Sequence, residues 1–319
     1  MGTPKHNWTL QEISEIYHTP LLELLYNAST VHRQHHHANK VKISMLISVK
    51  TGACTEDCAY CSQSSRYNTF VDHAEKMSVD AVLSAAKEAK ESGVERVCLS
   101  ASWGKVPSNK DFDDVLTMIE KIKAMDMSVC CTLGMIDKKQ AKQLSVAGIT
   151  AYNHNLDTSK DFYKEIISTR TFADRLETIE NLMEAGVNVC SGGILGMGES
   201  EDDRISMLHI LATLEKHPYT VPLNCIVPVK GTPLENTALL PVWDMVRMIA
   251  TARIIMPETM LCLAAGRTQM TDEGQALCYI AGVNSIFVGK KLLTTPNPDI
   301  SDDMKLMQKL GLEVYDKEN

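Results

Sequence analysis

Four times along this chain a helix-like stretch ends at a glycine and runs directly into a β-branched segment: ESGVERVCLS at Gly93, VAGITAYNHN at Gly148, EAGVNVCSGG at Gly186 and IAGVNSIFVG at Gly282. A glycine just past a helix end takes the left-handed cap without a Cβ clash. Helix–glycine–strand units spaced tens of residues apart call for parallel strands with helices packed over them, which leaves few architectures open. Shorter apolar runs at 45–49, 129–133, 221–227 and 260–264 bring the strand count to eight. The pattern predicts an α/β fold, a (β/α)₈ TIM-type barrel, and 319 residues suit one such barrel. A single domain is expected. Its parts are a helical N-terminal extension over 1–40 that closes the barrel base, the barrel over 41–295, and a C-terminal tail over 296–319. Ser78 is placed to cap a helix whose apolar face is Val79, Val82, Leu83, Ala86 and Ala89, and Asp174 to begin another that runs to Ala185.

Composition narrows the function. A formal net charge of −8 argues against nucleic acid or an acidic membrane surface as partner. No apolar run has the length of a membrane span, and MGTPKHNWTLQE lacks the apolar stretch of a signal peptide, so a cytoplasmic protein is expected. Ten cysteines are many for such a protein and point to metal or redox chemistry before disulfides. The run His35-His36-His37 is expected to be a solvated helix end, not a metal site.

Directly after the first strand stands Cys54-Thr-Glu-Asp-Cys58-Ala-Tyr-Cys61. Three thiolates this close can take three irons of a cubane [4Fe–4S] cluster and leave the fourth iron open to a small molecule. A structural zinc site wants four ligands, normally as two separated pairs. The loop, with aromatic Tyr60 before its last cysteine, resembles the signature of the radical S-adenosylmethionine (SAM) superfamily. The segment Gly192-Gly-Ile194-Leu-Gly196-Met-Gly-Glu199 resembles that superfamily's G-x-I-x-G-x-x-E motif. The resemblance implies that SAM chelates the open iron and is cleaved by one electron to a 5′-deoxyadenosyl radical. It further implies that Tyr60 packs near the adenine, and that Gly192 and Ile194 lie along SAM on its adenine side.

Strand parity adds a second set of thiols. Side chains alternate between the two faces of a strand. With Val97 and Leu99, Val129 and Leu133, Val187 and Val189, and Leu261 and Leu263 facing the helices, Cys98, Cys130, Cys190 and Cys262 all face the barrel interior. Any one of them is ordinary core filler; four of matching parity on four strands point to a second metal cluster. Cys131 and Cys225 fall on the outward parity and Cys278 on a helix, as packing residues. Asn153, Asn155 and Asp157 share inward parity on the fourth strand and its loop, and Asn224 faces in from the sixth. Unpaired, such groups would cost several kcal/mol to bury, so polar ligands are expected there.

The runs TGACTEDCAYCSQSSRYNT, YNHNLDTS, CSGGILGMGE, VKGTPL, AAGRTQM, NSIFVG and KLLTTPNP extend the resemblance over nearly the whole chain, to the biotin synthase family. That family implies a sulfurtransferase that inserts sulfur between C6 and C9 of dethiobiotin. One SAM-derived radical acts at each carbon, and the sulfur comes from an auxiliary [2Fe–2S] cluster on three cysteines and one arginine. Cys98, Cys130 and Cys190 match the cysteines. Cys262 stands where the arginine is usual, so a four-iron auxiliary cluster and an all-cysteinyl [2Fe–2S] cluster both stay open. Arg267 belongs to a separate segment and does not replace that ligand. By the same resemblance Asn153 and Asn224 bind the ureido ring of dethiobiotin and Thr294 and Thr295 its carboxylate. Asn155 and Asp157 bind the ribose of SAM, and Arg175 its methionine carboxylate. A flavodoxin- or ferredoxin-type electron donor and a homodimer are also implied. Two alternatives remain: another barrel-type radical SAM enzyme that donates no sulfur, such as a relative of the hydrogenase maturases, and a non-catalytic metal-binding scaffold.

Overall fold

The computed structural model describes residues 4–315; the first three and last four residues of the expected extension and tail lie outside the described residues. Eight parallel strand positions close into a barrel. They are β1 (Lys40–Lys50), β2 (Arg96–Ala101), β3 (Ser128–Thr132), β4 (Ala151–Asn153), the interrupted pair β5 (Asn188–Cys190) and β6 (Gly193–Leu195), β7 (Thr220–Cys225), β8 (Met260–Leu263) and β9 (Ser285–Val288). β9 returns to pair with β1 through Lys42↔Ser285 to Met45↔Val288, which leaves no open edge. The fold is the (β/α)₈ barrel that the helix–glycine–strand repeats predict.

Helices α3 (Val79–Glu91), α4 (Lys110–Ala124), α5 (Lys138–Val146), α6 (Tyr163–Ile166), α7 (Phe172–Glu184), α8 (Glu201–Thr213), α9 (Val242–Ile255) and α10 (Asp272–Ile280) connect the strands. Six of these starts, all but those of α6 and α9, are fixed by N-cap side chains that satisfy orphan N–H groups. Ser78 accepts from Ala81 N, as its position suggests. The helix expected to begin at Asp174 instead begins at Phe172, capped by Thr171. Asp174 is the third helical residue and reaches back to the Thr171 N–H in a capping box.

The extension comprises α1 (Leu10–Tyr17) and α2 (Leu21–His35). The pair packs against α8 and α9, and the segment before it is tied to the connections into β7 and β8, where His6 Nδ1 lies 2.8 Å from Leu214 O and Trp8 Nε1 donates to Ile255 O at 3.1 Å. The end of α2 reaches the lower rim, where His35, His36 and His37 line a polar cavity. His36 is not simply solvated: its Nε2 lies 2.7 Å from Arg253 Nη1 and 2.9 Å from the Pro257 carbonyl. After β9 come a two-stranded hairpin, β10 (Lys291–Leu292) with β11 (Thr295–Pro296), the helix α11 (Ile300–Leu310) and a short β12 (Glu313–Val314) that adds to the start of β1.

The main core fills the space between strands and helices. Val97, Leu99, Val129, Cys131, Leu133, Leu261 and Leu263 all belong to it, together with the inner faces of α4 and α9. This outer core takes one parity of each strand and leaves the other parity to the barrel axis, where the candidate site lies. Among the described residues no helix is long and apolar enough to cross a membrane.

Candidate active site

A cavity of about 330 Å³ runs down the barrel from the loops at the C-terminal ends of the strands. At its mouth lies the segment after β1. This loop is held by its own backbone: Cys54 N donates to Gln63 O (2.9 Å), Ser65 N to Cys54 O (2.8 Å) and Cys61 N to Cys58 O (2.9 Å). Asp57 ties it to the neighbouring segment by accepting from Ser168 N (2.9 Å) and Thr169 N (3.1 Å). Cys54 and Cys61 line the cavity, while Cys58 is buried behind it with Arg170 Nη2 at 3.5 Å from its sulfur. Burial pushes the Cys61 thiol up to about 12 and raises Cys58 despite Arg170. Iron must therefore displace protons that burial otherwise keeps on sulfur.

The residues paired with SAM by resemblance are partly committed to one another. Asp157, with positive φ, accepts on Oδ2 from Tyr60 Oη (2.8 Å) and from Arg175 Nη2. Arg175 Nε donates to Tyr163 Oη at 2.9 Å. Burial opposes the Arg175 charge, but Asp157 and the surrounding phenols and thiol outweigh it and hold the guanidinium protonated. The Tyr60 hydroxyl thus anchors the cysteine loop to the strand-four loop while its ring lines the cavity. Asn155 Oδ1 accepts from Gly192 N at 3.2 Å. A Cβ on Gly192 would meet Pro222 O at 2.0 Å, so only glycine fits between the strands there. Ile194 lines the cavity opposite Asn224 in the β6–β7 register.

Asn153 also lines the cavity. Asn224 does so too, with both ends of its amide engaged: Nδ2 donates to Gly193 O (3.0 Å) and Oδ1 accepts from Ala265 N (3.0 Å). It ties β6, β7 and the turn after β8 together. Thr294 shares a 2.7 Å hydrogen bond with Ser62 of the cysteine loop, and Thr295 Oγ1 donates to Leu292 O at 3.0 Å; both reach the mouth. Glu199, the last residue of the glycine-rich motif, turns away from the cavity. It accepts from Gly196 N, Met197 N and Arg204 Nε within 3.1 Å, latching the turn after β6.

Deeper in the barrel, Cys98, Cys130 and Cys190 pack together with Ala151 in a cluster of their own. Register explains it: Cys98 pairs with Cys130, Cys130 with Ala151, and Cys190 with Asn153. Cys262 lies beside them in an adjoining group with Ala264 and Leu292, and Phe287 touches both groups. All four line the cavity, all four are free thiols, and none is more than 5 % exposed. Burial pushes Cys262 up to about 12, and contact with Cys130, then burial, raises Cys190. Cys131 and Cys278 sit in the outer core; Cys225 does too, although it also reaches the cavity wall. Arg267 pairs with Asp303 on α11 (Nη1–Oδ1 2.5 Å) and lies outside the cavity.

Among the described residues no three histidine, cysteine or carboxylate side chains converge where one metal ion would sit. The barrel thiols instead border a shared space, which suits a polynuclear iron–sulfur group with about one thiol per iron. Unsatisfied polar atoms fit an anionic occupant: Arg96 Nε and Thr220 Oγ1 are buried without partners, and both residues line the same cavity. Arg96 shares parity with Cys98 two residues on, the one sequence signal that places it in this chamber.

A barrel with a three-cysteine loop at the C-terminal end of its first strand is the architecture of a radical SAM protein. The radical SAM superfamily model matches residues 48–211, and the model described as the biotin and thiamin synthesis associated domain matches 222–313. A biotin synthase of Christiangramia forsetii is 56% identical over 97% of this chain and 85% of its own length. The mitochondrial biotin synthase of Arabidopsis thaliana is 52% identical over 97% and 82%. The chain belongs to the biotin synthase family. Two solved structures share its fold at 17% identity. One is the FeFe-hydrogenase maturase HydG of Carboxydothermus hydrogenoformans (TM-score 0.82, 96% of this chain and 76% of that one). The other is methylornithine synthase (TM-score 0.81, 97% and 94%).

Proposed function

We propose that this chain converts dethiobiotin to biotin by inserting sulfur between C6 and C9, as a single catalytic unit of extension, barrel and C-terminal segment. The observation that carries the reading is one cavity with two thiol sets, three on the loop at its mouth and four buried beneath. Cys54, Cys58 and Cys61 would hold a [4Fe–4S] cluster, and Cys98, Cys130, Cys190 and Cys262 an auxiliary iron–sulfur cluster. When bound, the first supplies the electron that cleaves SAM and the second supplies the sulfur.

The chain's own residues position and enclose. The Tyr60–Asp157–Arg175 set joins the SAM side of the pocket to the cysteine loop. The Asn155 bond to Gly192 N sets the strand-four loop against the glycine turn. Asn153 offers a donor and an acceptor suited to a ureido ring. The amide of Asn224 holds the opposite wall, so its part in substrate binding is to shape that wall. Thr294 and Thr295 present hydroxyls at the rim, where the substrate carboxylate would lie. The packed barrel keeps water from a radical able to attack unactivated C–H bonds. The family resemblance supports a homodimer, a flavodoxin- or ferredoxin-type donor and a cytoplasmic setting.

The test is anaerobic incubation of the reconstituted, reduced protein with SAM and dethiobiotin. Biotin and 5′-deoxyadenosine should form together. SAM cleavage without biotin would favour a barrel enzyme that donates no sulfur, and no cleavage at all would sink the radical reading. Iron and sulfide counts on the parent and on Cys262→Ala separate a [2Fe–2S] from a four-iron auxiliary site.

A further inference from the structure

Three arginines line the cavity, and two are already spoken for. Arg175 is paired with Asp157, and Arg170 lies beside Cys58 and Glu56. Arg96 is different. It enters from the first residue of β2 on the same face as Cys98, and it is 3 % exposed. Nη2 donates to Tyr219 Oη at 2.7 Å, and the guanidinium lies 5.0 Å over the Tyr219 ring. Nε has no partner, and among the described residues no carboxylate pairs with it. A buried guanidinium without an anion costs several kcal/mol, so the fold must supply negative charge in some state of the protein. The groups that share its chamber are Cys98, Cys130 and Cys190, and Tyr219 packs against the cluster they form with Ala151.

Tyr219 is itself held from below. Lys42 Nζ donates to its hydroxyl at 3.4 Å, and the ring forms part of the wall of the polar cavity at the lower rim. Tyr219 is thus a one-side-chain floor between that cavity and the thiols, with Arg96 fixed on its upper face.

We propose that Arg96 is the cationic hydrogen-bond donor to the auxiliary iron–sulfur group on the barrel thiols, and that Tyr219 is the positioning residue that aims it. Four thiolates would bring four negative charges into a nearly dry chamber. One fixed guanidinium there stabilises whichever redox state carries more negative charge, and so raises the reduction potential. The inference rests on the auxiliary cluster of the proposed function and adds a residue that contacts it and one that tunes it.

The experiment is a redox titration of the reconstituted protein, following the two clusters by EPR and visible absorption, with iron and sulfide counted on each sample. In Arg96→Gln the auxiliary couple is expected to move to more negative potential while the couple of the Cys54/Cys58/Cys61 cluster stays in place. Arg96→Lys should recover part of the shift, and Tyr219→Phe should move the couple in the same direction by less. An auxiliary couple unmoved in loaded Arg96→Gln overturns the inference, as does an equal shift of both clusters. If Arg96→Gln fails to take up iron, Tyr219→Phe decides, and an unmoved couple there overturns it. A parent protein that assembles only the mouth cluster overturns the functional reading, and this inference with it; that result is distinct from a loaded parent whose couple ignores Arg96.

Discussion

Replacing Asp157 by asparagine isolates the charge that holds the upper cavity together. The side chain is 2 % exposed and its Oδ2 accepts from both Tyr60 and Arg175. Asparagine keeps the shape, retains one acceptor oxygen and tolerates the left-handed backbone at this position (φ 69°), so no new backbone strain enters. What disappears is the only carboxylate among the described residues that pairs with Arg175, itself 5 % exposed. Breaking a buried pair by removing one partner costs about 3–5 kcal/mol, and the retained oxygen argues for the lower end, about 3 kcal/mol. At about 2 °C per kcal/mol for a chain of this size, the melting temperature should fall by about 6 °C. Arg175→Met should be destabilising by a similar amount, because it strands the carboxylate. The double variant Asp157→Asn with Arg175→Met should melt above either single variant, since no buried charge is left unpaired. Thermal unfolding followed by circular dichroism on the four proteins reads the cycle directly. A single variant within 1 °C of the parent (roughly 0.5 kcal/mol by the same conversion), or simple addition in the double variant, would refute the reasoning.

Three further outcomes follow from particular contacts. Gly192→Ala places a Cβ 2.0 Å from the Pro222 carbonyl oxygen and should cost about 3 kcal/mol or more, read as a drop in urea midpoint; an unchanged midpoint would mean that β6 and β7 can separate freely. Asp303→Ala strands Arg267 in the core and should free α11, giving early proteolytic cleavage between β11 and α11 while the barrel stays intact; parent-like resistance would contradict this. His32 is buried and His36 half-buried near Arg253, and desolvation followed by that arginine lowers them to about 3 and about 4. Below pH 6.5 the unfolded chain binds protons that the folded chain refuses, so stability is full above that pH and falls progressively as pH drops toward 4. His32→Gln should flatten part of that decline in denaturant midpoints measured across the range, and an identical slope would count against it.

Local chemistry and strand parity are readable without coordinates, and the barrel shows how far they reach. Glycine after a helix has a steric consequence whatever surrounds it, so the four helix–glycine–strand units announced parallel α/β architecture. Alternation along a strand is equally local, which is why Cys98, Cys130 and Cys190 could be assigned to one interior and Cys131 to the other side of the strand. The start of α7 lies two residues before Asp174 because Thr171 and Asp174 are both good capping types, and only the backbone decides which is the cap. Tertiary structure alone decided the partners. Asn224 spends its amide on two neighbouring strands, Asp157 and Arg175 neutralise each other, and Glu199 latches a turn. Each is a contact between segments 18 to 41 residues apart in sequence or fixed by a turn's exact path. Residue type says that such a group needs a partner; only the closed barrel says which partner it finds.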